Sequence, residues 1–428
     1  MEIGEEISEW QKLPGPLQHQ FYDHALREAE RRVEALRKLK EKLEELGEEM
    51  RFERVGEADW EGLRVGVVDG SCPPAPDTRL GGTYALFCSS YKIFEGDELV
   101  DEGYRSGMLF VDNAMSSASA RGVLRLLMTR LERKSALDAF ERGVDWLIID
   151  GSFFGFRYRC RRIEDVEVTW YEVGRGGDVE ERTATGLDIV EEVFRDTGEI
   201  LKKKAVAIVK RARARALDGH LIEEKWDLIE SSGGRGLEDV MTSLIDKAIL
   251  SILMSEGEYF LYDFLFDRPG EFHLYSVLAS MCKAWIEKKL RAGEPLNFDE
   301  LYTLSAARVE HRERRENMPA HLFDTYYPIL IDRVRRGFFK ANEEAPACCF
   351  EIHVNRRLGE ILPYLMGFNN RDTGHPFPLD LVDEDVRLPR RFTREFVEEV
   401  EAHVLKKADV DLTKDYFQYL NPQKKWLY

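Results

Sequence analysis

The chain has 428 residues, of which 43% are hydrophobic, and its formal net charge is −18 at pH 7. This length is long for one compact domain and short for three, and the acidic balance argues against broad, non-specific binding of duplex nucleic acid through a basic face. The sequence contains no run of about 18 apolar residues that would predict a membrane span, and its acidic N-terminus does not resemble a secretory signal. The six cysteines include no CxxC pair, which disfavours a zinc ribbon. We therefore expect a cytoplasmic protein with reduced cysteines.

The first predicted element is one long helix from about Gly15 to Glu53. Apolar residues recur there at steps of three and four, the period of one helix face, at Leu17, Phe21, Ala25, Ala29, Val33, Leu36, Leu39 and Leu43. The helix either packs on the surface of its own domain or serves as an arm for a second copy or another partner. We set an N-terminal helical arm at residues 1–58 and one domain at residues 59–428.

From residue 63 onward the pattern changes to strands interleaved with helices. Short apolar runs predict strands at 64–70, 83–94, 108–111, 146–151, 168–173 and 205–210, and helical periods predict helices at 123–140 and about 189–204. This alternation favours an α/β fold with a mixed sheet core flanked by helices.

The second half of the chain is predicted to be mainly helical at first. Residues 236–345 form a helical insertion with a short strand near 259–264, followed by a strand at 348–354, the turn GHPFPL, the segment VDEDVRL and a helix near 394–406. The C-terminal segment YFQYLNPQKKWLY either packs back on the domain or docks on a partner. No internal repeat of solenoid period is present.

Two aspartates share one sequence context. Asp69 and Asp150 each end a strongly apolar strand and are followed by Gly and Ser, in VGVVDGS and WLIIDGS. A strand buried on both faces ends at the rim of its sheet, where ligand sites of open α/β sheets lie, and the glycine allows a sharp turn and close approach of a phosphate. The alternative is that Asp-Gly-Ser only terminates each strand, since these are ordinary turn residues.

A third acidic residue lies on the helix between these strands. Glu132 falls at the edge of the apolar face of helix 123–140, beside Met128 and Ala139; a lone helix glutamate is otherwise most often solvated. Clusters of three or four carboxylates suit hard divalent cations, and two such cations about 4 Å apart can promote phosphodiester hydrolysis. No Walker A motif or GxSxG elbow is present, which disfavours a P-loop NTPase and a serine hydrolase.

The order of these features resembles the NurA nucleases, from about residue 60 to about residue 406. Similar segments are AIVKRA (207–212), DKAILSILMSEGEYF (246–260) and GHPFPLDLVDEDVRL (374–388). The resemblance implies a ribonuclease H-like core whose catalytic and metal-binding acids are Asp69, Glu132, Asp150 and Asp383. His375 stands where an aromatic residue is more usual, so Glu351 and His353 on the preceding strand are reserve candidates for the last position.

The resemblance also implies an activity. NurA nucleases are manganese- (or magnesium-) dependent, cut DNA as 5′-to-3′ exonucleases and single-strand endonucleases, and form dimers that dock on the hexameric HerA translocase during end resection for double-strand break repair. Two alternatives stay open. The chain could be a non-catalytic dimeric platform for a DNA-translocating ATPase, or a related nuclease that acts on RNA.

Several further residues are candidates for contact with DNA. Lys210, Arg211, Arg213 and Arg215 could grip phosphates, since the arginines alternate with alanine and would share one face of an extended segment. Tyr259 and Tyr262 could stack on unpaired bases, although such tyrosines more often complete a core. The basic run 311–321 is more typical of a solvated helix face than of a DNA path.

Overall fold

The computed structural model describes residues 12–421 except 57–58, 74–75, 113–116, 159, 174–176, 328–332 and 390. Within this part, twelve strands form one mixed sheet in the order β1-β10-β11-β12-β9-β6-β2-β4-β5-β7-β8, with β3 paired to β4. The strands are β1 (Glu53–Arg54), β2 (Arg64–Ser71), β3 (Asp77–Arg79), β4 (Gly82–Glu95), β5 (Glu98–Val111), β6 (Trp146–Asp150), β7 (Glu167–Val173), β8 (Val179–Thr185), β9 (Ala205–Ile208), β10 (Glu258–Leu261), β11 (Val334–Phe339) and β12 (Cys348–His353).

The centre of the sheet combines both kinds of strand pairing. Strand β4 runs antiparallel to both of its neighbours, β2 and β5, whereas β2, β6 and β9 are parallel. Parallel neighbours need a crossover connection, and helices supply it here. The three parallel strands therefore end at the same edge of the sheet, and the α/β prediction with a mixed sheet is confirmed at this level.

Helices cover both faces of the sheet. They are α1 (Gly15–Glu49), α2 (Ser117–Glu141), α3 (Gly186–Leu201), α4 (Ala216–Glu224), α5 (Trp226–Ser231), α6 (Leu237–Val240), α7 (Asp246–Leu253), α8 (Glu271–Ala292), α9 (Phe298–Arg312), α10 (Ala320–Tyr326), α11 (Leu362–Gly367), α12 (Phe377–Val386), α13 (Phe392–Leu405) and α14 (Val410–Tyr416). Among the described residues, none of these helices combines the length and the hydropathy needed to cross a membrane.

The central strands are apolar on both sides because each side faces a helix layer. Leu147 belongs to the core formed with α2 and α3, whereas its neighbour Ile148 belongs to the core formed with α11 and α12. Such two-sided burial explains why these strands read as continuous apolar runs. A third core joins the end of α1 and the helices α4–α9 to the far strands β10–β12.

The structure corrects two predicted elements and adds a strand that was not predicted. The first helix ends at Glu49 rather than at Glu53, because Met50 is extended and Glu53–Arg54 pair with β10. The range 236–345 contains β11 as well as β10, and both join the common sheet; the arginines in VRRGFF hide β11 from an apolar pattern. Strand β8, largely polar and partly exposed, was missed for the same reason.

The C-terminal segment packs back on the domain as far as residue 421. The ring of Phe417 stacks on Tyr84 with centroids 6.2 Å apart, and the guanidinium of Arg79 donates to the Phe417 carbonyl at 2.9 Å. Residues 422–428 lie outside the described part. All six cysteines are free thiols, as expected.

Candidate functional site

Three neighbouring parallel strands bring predicted site residues to one edge of the sheet. Val68 lies opposite Ile149, so Asp69 and Asp150 occupy equivalent positions at the ends of β2 and β6. Asp150 in turn lies opposite Ile208 of β9, and Lys210 follows two residues later. The end of an apolar strand thus supplies each of these three charged side chains.

A lysine joins two of the predicted acids. Lys210 Nζ lies 3.1 Å from Asp150 Oδ2 and 3.3 Å from Asp383 Oδ2, and Asp383 comes from α12 on the face opposite α2. Burial alone would lower the pKa of Lys210, but the charges of Asp150, Asp383 and Asp69 raise it. The predicted phosphate-binding lysine is therefore a partner of the acids in this structure.

Glu132 reaches the same edge from the other face of the sheet. A Cβ added to Gly70 would lie 3.3 Å from Glu132 Oε2 and 3.4 Å from Glu132 Cβ, so the glycine after Asp69 provides the space that this carboxylate uses. Glu132 is buried and pairs with the guanidinium of Arg133. Arg133 Nη2 also donates to the Phe153 carbonyl at 3.2 Å, which ties α2 to the loop after β6.

The pKa values of the acids show that they influence one another. Burial, followed by the charges of Asp150 and Glu132, raises the pKa of Asp69 to about 9, and Lys210 offsets part of this shift. Burial raises the pKa of Glu132 to about 7 against the opposing effect of Arg133, and Asp150 adds to the increase. Burial also raises the pKa of Asp150, although Lys210 lowers it. The four acids and Lys210 thus form one electrostatic unit, here called the acid cluster.

The acid cluster offers the oxygen donors that hard divalent cations prefer, but its carboxylate oxygens are not all close together in this structure. No three of Asp69, Glu132, Asp150 and Asp383 have ligand oxygens that all lie within 4.8 Å of one another. Among the described residues that spacing is met by His220, Glu223 and Glu224 on α4, where Glu223 already accepts a hydrogen bond from Tyr275. The donor chemistry of the acid cluster therefore fits a divalent cation, whereas a preformed cage is not present among these four residues.

The reserve candidates have other partners. Glu351 accepts hydrogen bonds from Ser152 Oγ at 2.9 Å and Phe153 N at 2.9 Å, and it pairs with Arg336. Glu351 thus holds the loop that follows Asp150. His353 Nδ1 accepts from Asn355 N at 3.3 Å, and burial lowers the pKa of this histidine.

His375 lies near the acid cluster without replacing an acid in it. Burial lowers the pKa of His375 to about 4, with further contributions from Lys247 and Lys210, while Asp380 and Asp383 oppose the shift. The imidazole is therefore neutral at pH 7.

The predicted arginine face is only partly present. Arg211 and Arg213 are exposed, and residues 209–215 do not form a strand. Arg215 Nη2 lies 2.7 Å from the buried carboxylate of Asp218, so this guanidinium is engaged inside the protein. The expectation that Arg215 shares a free face with the other two is wrong, because a buried acid binds it.

The tyrosines and the second basic run have structural roles. Tyr262 is buried and its hydroxyl donates to Asp246, which contradicts a base-stacking role. Tyr259 lies on β10 and donates to Glu53. Three strands separate β10 from β6, so the structure does not bring Tyr259 to the acid cluster. In the run 311–321, Arg314 pairs with Glu310 and Asp324, as expected for a solvated helix face.

The sequence analysis missed Arg133 and one arginine-rich segment. Arg133 is buried between Glu132 and the loop after β6. The arginine-rich segment is FRYRCRR (156–162), in which arginines alternate with aromatic residues three residues after the second Asp-Gly-Ser. That alternation was a visible signal for contact with nucleic acid.

Comparison with known proteins finds similarity of fold. The crystal structure of the NurA nuclease from Sulfolobus solfataricus matches with a TM-score of 0.52 and 14% sequence identity, over 91% of this chain and 98% of that one. A crystal structure of NurA bound to dAMP and manganese matches with a TM-score of 0.50 and 10% identity, over 93% and 99% of the two chains. No sequence-family model and no curated protein sequence matches this chain. At these identities the similarity establishes a shared fold.

Proposed function

We propose that this protein is a divalent-metal-dependent DNA nuclease that hydrolyses phosphodiester bonds at the acid cluster. The observation that carries the proposal is the meeting of Asp69, Asp150, Glu132 and Asp383, from two strands and two helices, around Lys210. Burial and the neighbouring acids raise the pKa of Asp69 and of Asp150, and Lys210 offsets only part of these shifts, so a bound divalent cation would further stabilise the ionised carboxylates. The fold similarity to NurA, one structure of which contains dAMP and manganese, supports the same assignment.

The metal ligands in this proposal are Asp69, Glu132, Asp150 and Asp383, with Mn²⁺ or Mg²⁺ as the cofactor. A divalent cation bound there would supply charge stabilisation for the phosphate oxygens and an activated water. Gly151, at φ +82° with open space beside its Cα, lets a substrate backbone approach Asp150.

Positively charged side chains complete the proposed active site. Lys210 supplies a positive charge next to Asp150 and Asp383, and Arg133 holds Glu132 in place. Arg211 and Arg213 follow Lys210 in the chain and are exposed, and in this proposal they contact phosphates outside the acid cluster. Tyr259 is not included among the proposed DNA contacts, because its hydroxyl donates to Glu53 on the neighbouring strand β1.

We further propose the finer activity that the NurA resemblance implies. It comprises 5′-to-3′ exonuclease and single-strand endonuclease cleavage during DNA end resection, in double-strand break repair with a HerA-type hexameric ATPase. The five central strands, an antiparallel set followed by two parallel strands with helical crossovers, support a ribonuclease H-like core. In this proposal residues 59–428 form the nuclease domain, with residues 236–345 inserted, and residues 1–58 form the arm.

A second copy of the chain is the proposed partner of the arm. Leu43 and Leu46 of α1 are buried against the domain, but the same helix face continues outward through Leu17, Phe21 and Leu36, which are 40%, 47% and 60% exposed. An apolar stripe of this kind on a surface helix is typical of a site of association. We propose that it contributes to a homodimer, on which the ATPase docks.

The test of the nuclease assignment is a cleavage assay on 5′- and 3′-labelled single-stranded and duplex DNA and on RNA, with Mn²⁺, Mg²⁺ or EDTA. We expect metal-dependent cleavage of DNA that falls by about 100-fold or more in Asp69→Ala and in Asp150→Ala. The matched control is Asp227→Ala, which removes an exposed aspartate of α5. Cleavage that persists in EDTA would contradict the mechanism.

The same assay separates the two alternatives. Cleavage of RNA alone would favour the RNA nuclease. Absence of cleavage on every nucleic acid, in a protein that still forms dimers, would favour the non-catalytic platform. The positions of the labels on the products report the polarity.

A further inference from the structure

A pocket of about 330 Å³ lies between the first half of α2 and the segment after β6. Arg121, Arg125 and Thr129 of α2 form one wall, and Phe156, Tyr158 and Arg162 lie across from them. Its volume falls in the range of small-ligand sites, roughly 300–1,000 Å³. The pocket is thus large enough for part of one nucleotide.

The rim of this pocket is positively charged although the protein as a whole is acidic. Three arginines line it, and no acidic residue is among the described residues of its lining. The neighbouring Arg157 is bound to Glu313 at 3.0 Å and is not among the described residues of the lining. Guanidinium groups bind phosphate in a bidentate manner, so the rim suits an anionic ligand.

The inside of the pocket suits an aromatic ring. Leu126 and Ile163 are buried at its base, and Phe156 is half-buried beside them. Tyr158 is 49% exposed, and the guanidinium of Arg312 lies 5.6 Å from its ring centroid, which adds positive charge at this ring. Aromatic side chains beside arginines are the common means of stacking unpaired bases.

The pocket lies close to the acid cluster. Arg125 precedes Glu132 by seven residues on one helix, a distance of about 10 Å along the axis. Burial raises the pKa of the Cys72 thiol and Arg125 lowers it in part, so this guanidinium is also near the end of β2. A stacked single strand advances about 3.4 Å per nucleotide, so about three nucleotides span the distance.

From this arrangement we infer that the pocket binds one unpaired nucleotide of a single-stranded substrate, about three nucleotides from the bond that is cut. Arg125 and Arg162 bind phosphates, and Tyr158 stacks on the base. The inference rests on the proposed nuclease function and adds to it the requirement for an unpaired strand at this position.

The test measures binding by the full-length protein in EDTA, so that no cleavage takes place. Fluorescence anisotropy with 5′-fluorescein dT15, rU15 and a blunt 15-base-pair duplex gives the dissociation constants. We expect Arg125→Ala/Arg162→Ala to raise the Kd for single strands about tenfold and to lower the salt dependence by about 1.4 in log–log slope. The Kd for the duplex stays within about twofold of the wild-type value.

The charge-matched control is Arg268→Ala/Arg291→Ala, which removes two guanidinium groups that are 77% and 82% exposed on or beside α8. It is expected to leave all three Kd values unchanged. Tyr158→Ala is expected to weaken single-strand binding about five- to tenfold and to reduce the quenching of a 2-aminopurine base placed in the oligonucleotide. Comparison of dT15 with rU15 reports whether the strand is DNA or RNA.

The inference is overturned if the Arg125/Arg162 variant binds single strands within about twofold of wild type, or if the control variant weakens binding equally. Its failure is distinguishable from failure of the nuclease assignment. If the Arg125/Arg162 variant binds normally while cleavage depends on Asp69, only the pocket inference is rejected. If binding depends on the pocket but no nucleic acid is cleaved, only the nuclease assignment is rejected.

Discussion

Gly70 and Glu132 lie so close together that a Cβ on residue 70 would stand 3.3 Å from Glu132 Oε2 and 3.3 Å from Met128 Cγ. Residue 70 belongs to a central strand and Glu132 to the helix above it. The glycine therefore determines how near the helix carboxylate comes to Asp69.

Gly70→Ala is expected to impair activity more than stability. The added methyl group displaces Glu132 and Met128 by a few tenths of an ångström, at a cost of about 1 kcal/mol in the free energy of unfolding, while cleavage falls about tenfold because a ligand is misplaced. Gly62→Ala is the control, since a Cβ there meets open space. Equal cleavage by the two variants would show that the approach of Glu132 to Gly70 is irrelevant to the reaction.

The metal-free protein is expected to lose stability as the pH rises from 7 to 9. The pKa of Asp69 is about 4 in the unfolded chain and is raised to about 9 in the folded protein. As the pH rises, Asp69 therefore ionises first in the unfolded state, which lowers the free energy of unfolding. This loss of stability is complete only above pH 9. Asp69→Asn removes this titration and is expected to flatten the decline by about 2 kcal/mol between pH 7 and 9. Urea unfolding in EDTA measures it, with Asp227→Asn as control. Parallel pH profiles for wild type and Asp69→Asn would contradict the burial of an interacting carboxylate.

Lys210→Met is expected to destabilise the metal-free protein by about 2 kcal/mol. The ammonium group lies 3.1 Å from Asp150 and 3.3 Å from Asp383, so its removal leaves these carboxylates without a counter-ion. Millimolar Mn²⁺ is expected to restore much of the lost stability, measured as a shift in Tm. Lys202→Met is the control, because Lys202 is 71% exposed and pairs with Glu199 on the surface. If Mn²⁺ does not restore the stability lost in Lys210→Met, the result would argue against cation binding next to Lys210.

The substitution Glu351→Gln distinguishes a structural role of Glu351, which holds the loop after β6, from a role as a metal ligand. Glu351 is buried, accepts hydrogen bonds from Ser152 and Phe153 and pairs with Arg336, whose side chain is 13% exposed. Its neutralisation is therefore expected to cost about 3 kcal/mol of stability. The loss should be equal in EDTA and in Mn²⁺, as measured by denaturant unfolding. A loss that appears only in Mn²⁺ would instead identify Glu351 as a metal ligand.

Substitutions on the exposed stripe of α1 are expected to break the proposed dimer. In Leu17→Glu/Leu36→Glu, two apolar side chains that are 40% and 60% exposed become charged, which opposes association. Light scattering after size exclusion should give half the wild-type mass, with Tm nearly unchanged. Arg31→Glu, at a side chain that is 71% exposed, is expected to keep the wild-type mass. A wild-type protein that is already monomeric would refute the role of the arm.

The sequence was sufficient to predict the positions that depend on local pattern. Asp69 and Asp150 were identified because each ends an apolar strand, and the strand ends of a parallel pair share one edge. The role of Lys210 was not predicted, since its contact with Asp383 joins residues 173 positions apart.

Long-range pairing also explains the other misses. Glu351 and Ser152 are 199 positions apart, and nothing in either segment reveals the other. The helical projection of α2 located Glu132 at the edge of the apolar face, but it could not show that Arg133 would be buried beside it. Strand β11 was hidden by its two arginines, which lie within the sheet because Glu351 and Asp263 bind them.

The ion pairs of Lys210 with Asp150 and Asp383 have a consequence for how metal supply would control the protein. A tethered ammonium already serves as counter-charge, so the chain can reach its native state in metal-poor surroundings. Under the proposed function, loading is then an exchange in which an incoming Mn²⁺ displaces an internal competitor. Free-metal concentration would set how many molecules are active rather than how many are folded.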